Sequence, residues 1–335
     1  MHRSFLTCAA ATLASALAVA ALPAAATAQR VQVTLDKSVT SAPVTGRVFV
    51  FFAKSDAREP RLLGGSYGGS VPFFGLDVDA LKPGATATID AKVLGYPYKS
   101  LRDVPAGDYY AQALLNVYTQ FHRADGHVIW VHEDQWEGQH FNTSPGNLVS
   151  AVVKVHLDLR ATAPIQLSLV RALPPVDVPA DTRWVKRVKI RSELLSKFWG
   201  APTYIGATVL LPKGFDDEPT RRYPAVYIQG HFGLGAPFGF TEGGAAGGRG
   251  GRGGASGVRM QLGAPLPYDN VPTSVRESGD QFAASWQQAD FPRFVAITWQ
   301  HPTAYYDDSY AVNSVNNGPY QDALLTELVP LLEKQ

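Results

Sequence analysis

Short runs in which apolar and polar residues alternate recur from Val31 to Leu159. They are Val31-Gln-Val-Thr-Leu-Asp36, Arg47-Val-Phe-Val-Phe-Phe-Ala53, Ala85-Thr-Ala-Thr-Ile-Asp90, Tyr109–Tyr118, His127–His132 and Leu148–Leu159. A period of two sends successive side chains to opposite faces of a strand, and the Pro and Gly turns between runs let consecutive strands pair. The pattern predicts an antiparallel β-sandwich over residues 30–172.

The pattern then changes. Leu173-Pro-Pro-Val-Asp-Val-Pro-Ala180 carries three prolines, which remove backbone donors and fix φ, so 173–182 is expected to be an extended linker. Trp184–Ile190 and Thr203–Leu211 read as paired strands closed by the turn Pro212-Lys-Gly214. Arg222-Tyr-Pro-Ala-Val-Tyr-Ile-Gln-Gly-His-Phe-Gly233 and Phe294-Val-Ala-Ile-Thr-Trp-Gln-His301 read as buried strands with room for one helix between them. Gly318–Gln335 has apolar residues at helical spacing. Residues 183–335 are therefore expected to build a mixed sheet with helices. Within them Gly243–Gly257 is Gly-rich and cannot bury a core, which predicts a mobile loop.

At the N-terminus, Met1-His-Arg3, the apolar run Phe5–Leu22 and the small-x-small exit Ala26-Thr-Ala28 predict a secretory signal peptide over 1–28. A secreted or periplasmic protein with no membrane span after cleavage is expected. Cys8, the one cysteine, lies in that signal, so the mature chain has no thiol for a disulfide, a thiolate metal site or a cysteine nucleophile. Charge is balanced, 30 Lys and Arg against 29 Asp and Glu, which supplies no basic field for nucleic acid. That balance also weighs against reading the two Arg-Gly-Gly units near Arg249 and Arg252 as an RNA-binding segment.

The order of the strand pair ending in Val209-Leu-Leu-Pro-Lys-Gly214, the strand Arg222–Ile228, the strand Phe294–Trp299, the loop Asp307-Asp-Ser-Tyr310 and Thr326-Glu-Leu-Val-Pro330 resembles the secreted esterase family of α/β-hydrolases. That family includes the esterase D, feruloyl esterase, enterochelin esterase and mycolyltransferase groups. The resemblance implies an incomplete α/β-hydrolase sheet over 183–335, cut before the nucleophile elbow, and an exported carboxylic-ester hydrolase acting on a small-molecule ester without a cofactor. It also implies that the catalytic serine, acid and histidine would follow Gln335, so the chain as it stands is expected to be inactive.

In the family the loop after the first long strand supplies oxyanion-hole amides, which marks Gly230, His231 and Phe232. His301, Tyr305, Tyr306, Asp307, Asp308 and Asn313 fall on the same sheet edge, where ligands bind in open α/β folds, and are candidates to line the substrate. The string Gly64-Gly-Ser-Tyr-Gly68 matches G-x-S-x-G but precedes the hydrolase sheet, so Ser66 is expected in a glycine-rich loop. His301 comes too early in chain order for a triad base. The close spacing of His127, His132, Glu133, Asp134, Glu137 and His140 permits a metal, yet such residues are common in hairpin loops and no metal is expected. The alternative to an esterase is a secreted, non-catalytic module that binds a carbohydrate or cell-surface partner through Tyr118, Trp130 and Trp136.

Overall fold

Alternation decides the first sheet. In β1 (Val31–Leu35) the apolar positions Val31, Val33 and Leu35 are buried, while Gln32 and Thr34 between them are not. The computed structural model describes residues 29–65, 70–137, 140–158, 160–230, 233–242, 278–305 and 307–334. Strands in mixed sheets dominate and helices are few, a β-rich α/β plus β class. No helix among the described residues is long and apolar enough to cross a membrane.

The strands that follow are β2 (Val44–Ala53), β3 (Phe73–Leu81), β4 (Thr86–Ile89), β5 (Gly95–Tyr96), β6 (Gly107–His122), β7 (Val128–His132), β8 (Leu148–Ser150), β9 (Val153–Leu157) and β10 (Ile165–Ala172). With β1 they form one ten-stranded sheet in the order β4-β1-β10-β8-β6-β2-β3-β5, with β7 and β9 also paired to β6. Val31, Val33 and Leu35 of β1 share a core with Val48, Val50 and Phe52 of β2 and with Leu167 and Leu169 of β10, so distant strands of the sheet close on a common interior.

Three details differ from the sequence expectation. The run Leu148–Leu159 is broken into β8 and β9. β3, β5 and β10 lie outside the expected runs. The sheet is not wholly antiparallel, because β1 and β10 run parallel with Val31 opposite Ile165.

Residues 173–182 contain no helix or strand. Beyond them β11 (Val185–Ser192), β12 (Thr203–Leu210), β13 (Ala225–Ile228) and β14 (Val295–Gln300) form a four-stranded sheet in the order β11-β12-β14-β13. Only β13 and β14 are parallel. Ile205, Ala207 and Val209 of β12 and Ile297 of β14 point into one core, while Leu210 and Ala296 point into another. Both faces are thus covered, which explains why these strands read as nearly continuous apolar runs.

Helix α1 (Glu193–Trp199) links β11 to β12. Ser192 caps its start by accepting from the Leu195 amide at 3.1 Å, and Gly200 ends it in the left-handed region at φ 68°. Helix α2 (Gly279–Trp286) opens with a capping box between Ser278 and Gln281. Its Trp286 is buried and donates through Nε1 to the Leu211 carbonyl at 2.8 Å.

The final helix runs as α3 (Tyr320–Ala323), a π-helical turn (Leu324–Leu328) and α4 (Val329–Lys334). Pro330 lacks an N–H and would crowd the carbonyl four residues back, so a widened turn just before it relieves the clash. Tyr320, Ala323, Leu324 and Leu328 form the face that packs on the sheet.

The hairpin of the second half of β6 with β7 joins the two sheets. Phe121 meets Trp199 edge to face at 5.2 Å, and the Ala124 amide donates to the Phe198 carbonyl at 2.7 Å. Arg123 donates through Nη1 to the Tyr305 hydroxyl at 3.0 Å and through Nη2 to the Val315 carbonyl at 2.8 Å. A core tryptophan such as Trp199, truncated to alanine, is worth about 3–5 kcal/mol, so this junction is a substantial part of the second unit's packing.

Candidate functional site

In a partly parallel sheet the loops that leave the carboxyl ends of the parallel strands carry the chemistry, because crossover helices occupy the faces. Here those loops follow β13 at 229–233 and β14 at 301–311. The helix after β13, α2, packs into the core on one face with Leu210 and Ala296, and the helix after β14 packs into the opposite core with Ile297.

Gly230 has no room for a side chain. A Cβ there would meet Thr298 Cγ2 at 2.3 Å and the Trp299 carbonyl oxygen at 2.5 Å. Close approach to β14, rather than to a ligand, is what requires glycine. The next two oxyanion candidates, His231 and Phe232, lie outside the described residues, as do Tyr306, Ser66, the segment 1–28 and the Gly-rich stretch 243–257.

The loop after β13 is held by a residue that the sequence reading did not single out. Gln300, buried at the end of β14, donates through Nε2 to the Thr208 hydroxyl at 3.0 Å and to the Gly233 carbonyl at 3.1 Å. Its signal was a lone amide closing the apolar run Val295-Ala-Ile-Thr-Trp-Gln300. An amide placed there at depth needs partners, and the loop supplies one.

The loop after β14 is knotted on itself. His301 is 0% exposed, and its Nδ1 lies 2.9 Å from the Ser309 hydroxyl. The Ser309 amide donates to the same nitrogen at 3.3 Å and to the His301 carbonyl at 3.2 Å. An amide donor makes Nδ1 the acceptor, which leaves the ring proton on Nε2.

Asp308, 2% exposed, accepts from the Tyr310 amide at 2.6 Å, and the Thr303 amide and hydroxyl both donate to the Asp307 carbonyl at 2.9 and 2.8 Å. Tyr310 and Ala311 have φ of 51° and 53°, so the knot holds two non-glycine residues in the left-handed region. Ser309, His301 and Asp308 do not have triad geometry, because serine and aspartate both face Nδ1, the latter at 3.9 Å, and Ser309 is 2% exposed.

The remaining candidates have other contacts. Tyr305 is 40% exposed, accepts from Arg123 and packs on Trp199 at 5.8 Å, which ties it to the junction. Asp307 is exposed and accepts from the Tyr310 hydroxyl at 3.1 Å. Asn313 accepts from the Asp322 amide at 3.2 Å and so caps the final helix. Of the six substrate-lining candidates, His301 and Asp308 are buried, Tyr305, Asp307 and Asn313 reach the surface, and Tyr306 is outside the described residues.

A cavity of about 510 Å³ adjoins this region from the side of the first sheet, lined among others by Asp134, Trp136, Lys189, Tyr204, Gln300 and Thr303. Its volume is that of a small-molecule site. Lys189 lies over the rings of Trp136 and Tyr204, at 4.7 and 4.8 Å from their centroids. Burial draws its ammonium below the usual lysine range, and Asp134 and Glu133 oppose that effect. Trp136 is held at φ 75°, and Gly206 leaves the space that its ring edge fills, since a Cβ there would stand 2.7 Å from Cη2.

His132, Asp134 and Glu137 bring three potential metal-ligating atoms within 4.8 Å of one another beside the same cavity. His127 instead pairs with Asp125 at 3.1 Å on the exposed hairpin tip.

No family model and no curated protein matches the sequence.

Proposed function

We propose that this chain is part of an exported carboxylic-ester hydrolase, an N-terminal two-layer β-domain followed by the opening strands of an α/β-hydrolase sheet. The observation that carries the reading is the order β11-β12-β14-β13 with helices on opposite faces after β13 and β14. In a sheet where an antiparallel pair leads into a parallel pair whose later strand lies inside the earlier one, ligands bind beyond the carboxyl ends of the parallel strands, here beside Gly230 and Gly233. Backbone amides there, held by the Gln300 clamp on Gly233, would meet the developing oxyanion of an ester under attack.

On this reading the span supplies the oxyanion side of the site. The serine on a strand-to-helix elbow, its acid and its histidine belong to later strands in the chain order of such enzymes. β13 has β14 as its one neighbour among the described strands and leaves Val226 40% exposed, as a strand awaiting a further partner would.

Titration of the 15N-labelled chain with an aryl methylphosphonate, whose charged tetrahedral oxygen imitates the oxyanion, tests the assignment. Saturable shifts of the Gly230 and Gly233 amides are expected. Saturation confined to other residues, or no shift at millimolar ligand, would remove the oxyanion role from this loop.

A second reading, a non-catalytic module for carbohydrate, is favoured by Trp130, which is 44% exposed on β7. Retention on an insoluble polysaccharide that Trp130→Ala abolishes would support it.

A further inference from the structure

The face of the second sheet that carries Val185, Leu210 and Ala296 changes character along its strands. A period of two continues it from Val185 to Arg187 and Lys189 on β11, from Leu210 to Thr208, Gly206 and Tyr204 on β12, and from Ala296 to Thr298 and Gln300 on β14. The apolar end packs against α2. From the polar end Arg187, Lys189, Tyr204 and Gln300 line the 510 Å³ cavity, together with the loop 133–136 of the first unit and part of the linker.

Register sets Lys189, Gly206 and Gln300 side by side on three neighbouring strands, so the backbones of the two polar residues stand about 10 Å apart with no side chain from the sheet between them. The ring edge of Trp136 enters that gap over Gly206, and its backbone is held at φ 75°. A tryptophan in the left-handed region is strained, and such strain clusters at ligand sites. Gln300 spends Nε2 on the Thr208 hydroxyl and on the Gly233 and Thr298 carbonyls, while its Oε1 accepts from none of the described residues. Lys189 lies over the rings of Trp136 and Tyr204 but donates no hydrogen bond to a described residue.

We propose that this cavity binds a neutral saccharide. Its charged lining is two acids, Glu133 and Asp134, and two bases, Arg187 and Lys189, so a ligand with net charge of either sign meets repulsion as well as attraction. A wholly apolar ligand would strip water from the Lys189 ammonium and the Gln300 carbonyl and give neither a partner. Sugar hydroxyls both accept and donate, so one ligand takes an N–H from Lys189 and gives an O–H to Gln300 Oε1. The C–H face of a sugar ring suits Tyr204, whose side chain is 41% exposed. The site is separate from Trp130, which alternates along β7 with Ile129 and Val131, the two that pack toward the junction. It borders the loop at Gly233 through Gln300, but it rests on the cavity and not on the esterase reading.

The test is titration of the full, folded, 15N-labelled chain with cellobiose, maltose and N-acetylglucosamine, and with glucuronate and glucosamine as charged counterparts, followed at the Trp136 indole and the Gln300 side-chain amide. At least one neutral sugar is expected to shift both signals saturably at millimolar concentration, with neither charged sugar binding more tightly. Lys189→Met and Tyr204→Ala are each expected to weaken that binding about 10-fold, while Trp130→Ala binds as wild type. Lys189 and Tyr204 both reach the surface, so these variants leave the packed cores intact and remain informative. No saturable shift of the two signals with any neutral sugar, tighter binding of a charged one, wild-type affinity in Lys189→Met or Tyr204→Ala, or loss of binding in Trp130→Ala would overturn the proposal.

Discussion

Replacing Gly200 by alanine probes the junction on which the second unit is packed. Gly200 ends α1 at φ 68°, and a Cβ there would stand 2.2 Å from the His122 carbonyl oxygen of β6. The left-handed conformation costs a residue with a side chain about 1–2 kcal/mol. The clash is with a backbone atom that cannot swing aside, which adds about 1–3 kcal/mol of overpacking and strains the bond from Ala124 to Phe198 beside it.

Gly126, at φ 88° with nothing within 4 Å of its would-be Cβ, carries the first cost without the second. Urea unfolding followed by tryptophan fluorescence is expected to place Gly200→Ala about 2–5 kcal/mol below wild type and Gly126→Ala only about 1–2 kcal/mol below. Values for the two variants within about 0.5 kcal/mol of each other would refute the docking of the hairpin on α1.

Trp286→Phe leaves the Leu211 carbonyl without its donor and is expected to cost about 1–3 kcal/mol in the same assay. Tyr227, on the edge strand β13, has its phenol pushed up to about 12 by burial and by its 3.1 Å bond to Glu333. Because the folded form holds the proton longer than the unfolded one, this contribution is complete below pH 10 and is lost as pH rises through about 12; Glu333→Gln should lower the midpoint in an ultraviolet titration. Gln300→Ala is expected to speed amide exchange of the segment around Gly233 while leaving that of β1 and β10 unchanged, as read by exchange mass spectrometry.

Period-two alternation placed most strands within a few residues, and β10, Ile165-Gln-Leu-Ser-Leu-Val-Arg-Ala172, shows that alternation as clearly as β1 does. Helix α1 was not expected, because its seven residues are too few for a convincing apolar period, although its caps, Ser192 and Gly200, stand in the sequence. What alternation does not encode is which strands meet. The parallel pairing of β1 with β10 joins segments over a hundred residues apart, and no local pattern sets its direction.

For the same reason, the sequence placed His301, Asp308 and Asn313 near one sheet edge but could not tell that His301 and Asp308 turn inward or that Asn313 caps a helix. Gly230 was marked as an oxyanion-hole candidate, while the reason that it must be glycine, the approach of Thr298 and Trp299, depends on a neighbouring strand. The spacing of His132, Asp134 and Glu137 was visible, whereas the Asn116 and Asn147 pair that orients His132 comes from β6 and from the segment just before β8, whose approach depends on the pairing of strands.

The central proposal is that, of an esterase site, the described residues supply the oxyanion side and not the nucleophile. Hydrolysis of a short-chain p-nitrophenyl ester by the folded chain, run beside Ser66→Ala, Ser309→Ala and His301→Ala, measures it most directly. The account predicts turnover indistinguishable from the uncatalysed background for all four proteins. Turnover well above background that Ser66→Ala, Ser309→Ala or His301→Ala abolishes would contradict it and place a working triad within these 335 residues.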